Sequence, residues 1–563
     1  MMHALATQPA IALFLALALG HLIGGIRVGP IQLGGVCGTL IVALLIGQSG
    51  VRLDADLKNV AFALFIFALG FTGGPQFFAN IGQGWRYGLL SLVEAVTVLT
   101  VVMTATVLLS LNPGAAAGLL AGSATESAVI GTAAEAISRL SLQPAEIDHL
   151  QGQIATAYSV TYLFGLITIV LFTSQFAPLL LRINLKQEAA DLAKRLGGTD
   201  EGEAALPEFV GRAYLAGRAA GDTVGAFEER LGHAATVEQL RRQDLTQDAR
   251  PTDAIGPSDV LLLVGRRDGV LRAAADLGPE VATGDVFNMP VVRRDFVVGR
   301  TEVIGRSIGE LRGLAPLETH RGVFISGVRR LGHAVPALPG TRLQRGDVVE
   351  LFGAERAVAQ AGAELGRKIP PADKTDFVML GIGVLAGILI GLLGTTVGGI
   401  HLSLGTGGGC LLSGLLFGWY ASRRAGSAAF PASAAQILKD FGLATFIAAV
   451  GFSAGPDAIQ LIKQFGLTLP LAGILAALLP ASLSLFIGHR LLKLESPFLL
   501  GAIAGQQCST PAISALVTAA GNSTPVVGYT VTYAISNVLL PLLGPVVVGL
   551  TVCFRDRRRR RSS

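Results

Sequence analysis

Two polar segments stand inside otherwise apolar stretches of this 563-residue chain. The first offers Ser123, Thr125, Glu126 and Ser127, and the second offers Gln506, Gln507, Cys508, Ser509, Thr510 and Pro511. Their hydroxyls and amides are neutral hydrogen-bond donors. If the helices break there, free backbone N–H groups and the positive end of a helix dipole add a place for an anion. That chemistry suits a carboxylate-bearing solute. The competing role is structural, capping or gluing helices, but polar groups, Gly and Pro coincide in both segments, which favours binding. Glu126 is an acid in an apolar run, where charge is costly and generally functional. It is a candidate to hold a substrate ammonium or to take up a proton, and Glu94, in another apolar run, competes for the second role.

The elements that must position these residues are long apolar runs. Six fall near 10–29, 31–47, 59–79, 87–111, 114–137 and 154–181, and six near 377–400, 402–420, 441–461, 466–492, 497–520 and 525–552. Most reach the roughly 20 residues needed to span a bilayer. The two sets match in order: GGVCGTL at 34–40 with GGGCLLS at 407–413, GLLAGSATESAVI at 118–130 with GAIAGQQCSTPAI at 501–513, and YSVTY at 158–162 with YTVTY at 529–533. LKNVAFALFIFALGFTGGP at 57–75 likewise matches LKDFGLATFIAAVGFSAGP at 438–456. Such order marks an internal repeat. The ends of the last pair, Gly70, Phe71, Thr72, Gly73, Gly74 and Pro75 with Gly451, Phe452, Ser453, Gly455 and Pro456, are expected to break helices and line a cavity, since unpaired backbone in a membrane must be covered or face water. Tyr158, Thr161 and Tyr162, with Tyr529, Thr532 and Tyr533, are either interface anchors or cavity-lining groups. Trp85 and Trp419 read as interface anchors.

Composition sets the layout. The chain is 51% hydrophobic and 15% charged with mean hydropathy +0.58, too few charges for an ordinary soluble chain. Residues 1–182 and 375–563 hold 13 and 17 Asp, Glu, Lys or Arg, against 53 in 183–374. The arrangement is therefore membrane, soluble, membrane. The net charge of +5 owes much to RDRRRRR at 555–561, a positive-inside anchor and not a nucleic-acid surface. Cys37, Cys410, Cys508 and Cys553 lie in apolar segments without CxxC spacing, so neither a disulfide framework nor a metal site is expected.

The expected domains are 1–182, a first membrane repeat; 183–205, a polar helical connector; 206–280 and 281–366, two small regulatory domains; 367–374, a linker; 375–554, the second membrane repeat; and 555–563, a basic tail. Each middle domain reads as a turn with a short helix, a Gly-rich turn and an alternating strand: GDTVGAFEERL to PSDVLLLVG, then GRSIGELRGL to RGDVVELFG. They contain no nucleophile–base pair, metal-ligand spacing or phosphate loop, so no enzyme activity, cofactor or metal is expected.

Together these paired motifs and central tandem units resemble the aspartate:alanine exchanger family over almost the whole chain. The central units resemble the C-terminal ligand-sensing domain of potassium-conductance regulators. The fold expected is a polytopic α-helical membrane protein, two repeated membrane halves flanking two small α/β domains that the resemblance places in the cytoplasm; the halves are inverted if one run per half (114–137 and 497–520) is re-entrant, and parallel if all twelve runs cross. The resemblance implies a multi-pass antiporter of the bacterial inner membrane, working as a homodimer and exchanging amino acids such as aspartate and alanine, or dicarboxylates such as succinate. Gly70–Pro75 and Gly451–Pro456 would be the repeat breaks, Thr125–Ser127 and Ser509–Pro511 the substrate hairpins. The copies differ where Pro511 replaces Ala128 and Ser509 replaces Glu126. An ion-coupled carrier or channel gated by the central domains is the alternative, and a membrane sensor ranks below it. The central domains are candidates to bind a small ligand or to dimerise.

Overall fold

A computed structural model describes residues 8–28, 31–32, 34–197, 209–232, 235–243, 245–281, 291–314, 322–368, 376–397, 400–403, 405–423 and 432–562. The chain forms two compact units, residues 1–189 with 372–563, and residues 190–371. The connector residues 198–205 and linker residues 369–374 lie outside the described residues, as do the side chains of Pro456 and of tail residues 556–563.

The first part of the membrane unit runs α1 (Pro9–Gly24), a hairpin of β1 (Arg27–Val28) and β2 (Ile31–Gln32), α2 (Gly35–Gly47), α3 (Ala55–Gln83), α4 (Trp85–Leu109), α5 (Pro113–Ser123), α6 (Ala128–Ser138) and α7 (Pro144–Leu171), which a π-turn and a short helix extend to Leu181. Helix α8 (Leu185–Arg195) forms the start of the connector; Leu185 and Ala189 are buried in the membrane unit's core.

The middle unit holds two five-stranded antiparallel sheets. One orders as β5 (Leu245–Asp248), β4 (Ala235–Arg242), β6 (Val260–Arg266), β3 (Phe209–Leu215) and β7 (Glu280–Val281), with α9 (Val224–Arg230) and α10 (Arg267–Ala274). The other orders as β10 (His333–Val335), β9 (Phe324–Arg330), β11 (Val348–Ala354), β8 (Val291–Val298) and β12 (Gly366–Lys368), with α11 (Ile308–Leu314) and α12 (Glu355–Leu365). Alternating apolar residues form each core face, as at β9, where Phe324 and Val328 point inward. The first residues of the expected linker, Arg367 and Lys368, belong with Gly366 to edge strand β12, paired with β8. Helix starts follow local signals: Thr223 caps α9, and Ser307 and Glu310 exchange backbone bonds of 2.8 and 3.1 Å in a capping box at α11.

The remainder of the membrane unit is α13 (Phe377–Leu392), a hairpin of β13 (Gly394–Val397) and β14 (Ile400–Ser403), α14 (Gly405–Arg423), α15 (Ala432–Phe465), α16 (Thr468–Phe486), α17 (Ser496–Gln506), α18 (Thr510–Ala520) and α19 (Thr524–Ser562). Six helices are long and apolar enough to cross a membrane among the described residues, within 55–75, 85–109, 144–181, 433–455, 468–491 and 524–555. The expected full spans at 10–29, 31–47 and 377–400 are shorter: α1, α2 and α13 have 16, 13 and 16 residues. Gly- and Pro-containing hairpins interrupt the apolar runs, and 13 residues rise only about 20 Å.

The two Gly-Phe-x-x-Gly-Pro segments do not break their helices. α3 runs through Gly70–Pro75 with Pro75 inside it, and α15 runs through Gly451–Pro456. Their glycines are a packing seam. A side chain at Gly70 or Gly74 would collide with the backbone of Leu411 or Leu415 in α14, and one at Gly451 or Gly455 with Ala43 or Gly47 in α2. Lipid provides no hydrophobic drive between helices, so close backbone approach must supply the contact. Each chain half thus grips the other, α3 on α14 and α15 on α2.

Candidate functional site

The interruptions lie at the polar segments. At the end of α5, the Thr125 N–H donates to Gly122 O at 3.1 Å and the Glu126 N–H to Ala121 O at 2.9 Å. At the end of α17, the Cys508 N–H donates to Gly505 O at 3.0 Å and the Ser509 N–H to Ala504 O at 3.2 Å. Both are complete Schellman caps, and the left-handed residue that glycine ordinarily fills is Thr125 (φ 49°) in one and Cys508 (φ 50°) in the other. A β-branched residue there costs about 1–2 kcal/mol, strain of the kind that collects at functional sites. The new helices α6 and α18 have 11 residues each, about 16 Å, half a bilayer. Every residue of α5 is buried, so the irregular turn that follows it is enclosed by protein.

The turns meet. Thr125 Oγ1 donates to the Gln507 carbonyl, and the Glu126 carboxyl lies close to the Cys508 thiol. Ser127 Oγ and Tyr158 OH are 2.8 Å apart, and the corresponding Tyr529 hydroxyl is buried close to Thr510. Tyr158 stacks obliquely on Tyr162 and Tyr529 on Tyr533, with centroids 5.2 and 5.1 Å apart. Thr161 packs over Gly122 and Thr532 over Gly505. The eight polar and aromatic groups therefore form two similar frames around two similar turns.

The turns differ in the group they carry. Glu126 Oε1 accepts the Ala128 N–H at 3.0 Å, so α6 has an acid side chain at its N-terminus. Ser509, a neutral cap, accepts the Ala512 N–H at 3.3 Å at α18. Helix α15 brings Lys439 into electrostatic reach of Glu126, whereas its counterpart Lys58 donates to Gln151 at 3.1 Å. Glu94 is fully buried beside Gln507, and its oxygens have no hydrogen-bond partner among the described residues.

A cavity of about 890 Å³ opens onto the second turn, lined by Thr125, Tyr162, Cys508, Ser509, Thr510 and Pro511 among the predicted residues. Ser123 turns back to Leu120 O at 3.2 Å, and Gln507 Nε2 donates to Ala477 O at 2.8 Å. Gln506 is buried with neither amide atom bonded among the described residues. Neither Gly-Phe-x-x-Gly-Pro segment contributes to the described lining of this cavity. Phe71, Thr72 and Ser453 are half-buried, Gly73 meets nothing, and Phe452 is buried. Sequence reasoning missed Gln175, Ser174, Ser514 and Thr518 in the lining. Thr510, Ser514 and Thr518 recur every four residues, a polar stripe on one helix face that could have revealed the last two.

Apolar helices of spanning length around an enclosed pair of polar turns make this a multi-pass membrane protein of the transporter class. The family model described as a predicted permease membrane region matches residues 12–178 and 379–549, and the chain belongs to the aspartate–alanine exchanger family. It is similar to uncharacterized transporters of Zymomonas mobilis (38% identity over 555 residues) and Bordetella parapertussis (38% over 562), in each case over 97% of this chain and 98% of the relative. One of Bradyrhizobium diazoefficiens is 35% identical over 553 residues, with the same coverage. No solved structure matches the chain.

Proposed function

We propose that the protein exchanges small carboxylate solutes, amino acids such as aspartate and alanine or dicarboxylates such as succinate, across the bacterial inner membrane. The observation that carries this reading is the meeting of two strained, similar turns at the head of a cavity, one bearing an acid and the other not. The N-terminus of α18 has only a neutral cap; Pro511 has no N–H, and those of Ala512 and Ile513 go to Ser509, so the helix dipole and the Thr510 N–H are what it offers a substrate carboxylate, worth up to about 2 kcal/mol when partly buried. Glu126 across the turn offers a partner for an ammonium group. The matched order of helices, turns and cross-packing supports two related halves, which in this proposal are inverted and expose the site alternately. A homodimer with the sheet domains on the cytoplasmic side completes the proposal.

Counterflow in proteoliposomes tests it. Labelled aspartate, alanine or succinate should enter only when unlabelled solute is present inside. Uptake that is indifferent to internal solute would point to a channel and end the exchange reading.

A further inference from the structure

Helices α6 and α18 follow corresponding turns but differ in their surroundings: α18 faces the cavity, whereas α6 is packed against its neighbours. Gly131 packs so tightly on Phe62 of α3 that no side chain fits between them. Thr132 Oγ1 donates to Pro541 O of α19 at 2.7 Å. The Glu135 carboxylate receives the N–H groups of Thr406 and, at 2.8 Å, Gly407, the first turn of α14, while Arg139 donates to its Oε1 at 2.8 Å. The corresponding positions of α18 are Ser514, Ala515, Thr518 and Ala519. Ser514, Thr518 and Ala519 are exposed, and all four line the 890 Å³ cavity, as does Gly34 at the start of α2. No side chain caps α2 among the described residues. The place that corresponds to the Glu135–α14 contact is therefore open, and a threonine stands where the acid would be.

We propose that Glu135 is a latch, a positioning residue that holds α6 on α14 and so keeps the α18 cleft the open one. The inference rests on the alternating-access reading above. Charged hydrogen bonds to backbone N–H groups at a helix start are stronger than neutral ones and are reinforced by the dipole. Thr518 can offer α2 only a hydroxyl, so the two closures are unequal and the resting balance favours the state with α6 shut. Without the carboxylate the balance moves toward the state in which α6 is open and α18 closed.

The test replaces the four natural cysteines by serine and introduces one reporter, Ser514→Cys in the cavity or Ala136→Cys on α6. Labelling of the full chain in membranes by a maleimide is then timed with and without Glu135→Gln. The expected result is reciprocal: Ser514→Cys labels more slowly and Ala136→Cys faster, with their ratio shifted on the order of tenfold, the worth of about one charge-assisted hydrogen bond. Unchanged rates would overturn the proposal, and so would acceleration of both, which marks general loosening. If Glu135→Gln does not fold, Glu135→Asp shortens the same contact and is read the same way. Labelling needs no solute, so reciprocal labelling without counterflow would retain the latch and reject exchange. Counterflow without reciprocal labelling would do the reverse.

Discussion

At the scale of single residues, the candidate site is decided by what occupies one position in each of the two turns. Glu126 and Ser509 stand at the same place relative to a left-handed Thr125 or Cys508, yet only the first is an acid. If Glu126 takes part in coupling, Glu126→Gln should flatten the dependence of exchange on pH; an unchanged profile assigns coupling elsewhere, with fully buried Glu94 the next residue to replace. Thr125→Val keeps the shape of the side chain but removes the donor to Gln507 O. One buried bond is worth about 1 kcal/mol, and leaving the carbonyl unpaired costs about 1–3, so solute affinity measured by counterflow should fall roughly tenfold. These polar positions were legible in the sequence because acids, amides and Pro are rare in apolar runs. Glu135 is also an acid in an apolar run, but its role was not legible, because its partners, Thr406 and Gly407, lie some 270 positions along the chain.

At the scale of elements, the same glycine-rich vocabulary serves two purposes, and local sequence does not separate them. Gly70–Pro75 reads as a break, yet α3 continues through it, because Pro removes only one backbone bond and the neighbouring glycines bring α14 close enough to hold the turn. The turns at 124–127 and 507–509 break without a glycine in the left-handed position. Whether a glycine loosens a helix or seats a neighbour depends on what faces it, and that is tertiary information. Two adjacent positions test this. A side chain at Gly73 would meet nothing, whereas one at Gly74 would collide with Leu415. Gly73→Ala should therefore stabilise the detergent-solubilised protein slightly, by up to about 1 kcal/mol through helix propensity. Gly74→Ala should lower its melting temperature, reflecting about 1–3 kcal/mol of overpacking. Equal effects would argue against the seam.

At the scale of the molecule, the membrane–soluble–membrane order was plain from charge distribution, and the family resemblance from the order of motifs. What composition did not carry was the internal bracing of the middle unit. Arg242 grips Asp259 in one sheet domain (3.0 and 2.8 Å) and Arg330 grips Asp347 in the other (2.8 and 2.7 Å). The second pair is almost fully enclosed, with side chains 2% and 0% exposed, so Asp347→Ala should cost about 3–5 kcal/mol by stranding the guanidinium, visible as lost hydrogen-exchange protection in β9 and β11. Burial pushes the Asp259 carboxyl up, but the Arg242 guanidinium and the Gly256 N–H outweigh it and hold it below the usual carboxylate range. Its charged form is thus favoured in the fold. That contribution is complete above the ordinary aspartate range near pH ~4 and is lost as pH falls through the lowered folded value. Protection of β4 and β6 in Asp259→Asn should be weaker than in the parent at neutral pH and converge with it in stronger acid. The central claim for the whole molecule is that solute sits at the paired turns, and Cys508, which lines the cavity beside Ser509 and Thr510, reports on it directly. In a variant retaining only that cysteine, the thiol-labelling rate is measured with increasing concentrations of a solute that supports counterflow. The account predicts concentration-dependent protection of Cys508. Unaltered labelling at saturating solute would place the binding site elsewhere.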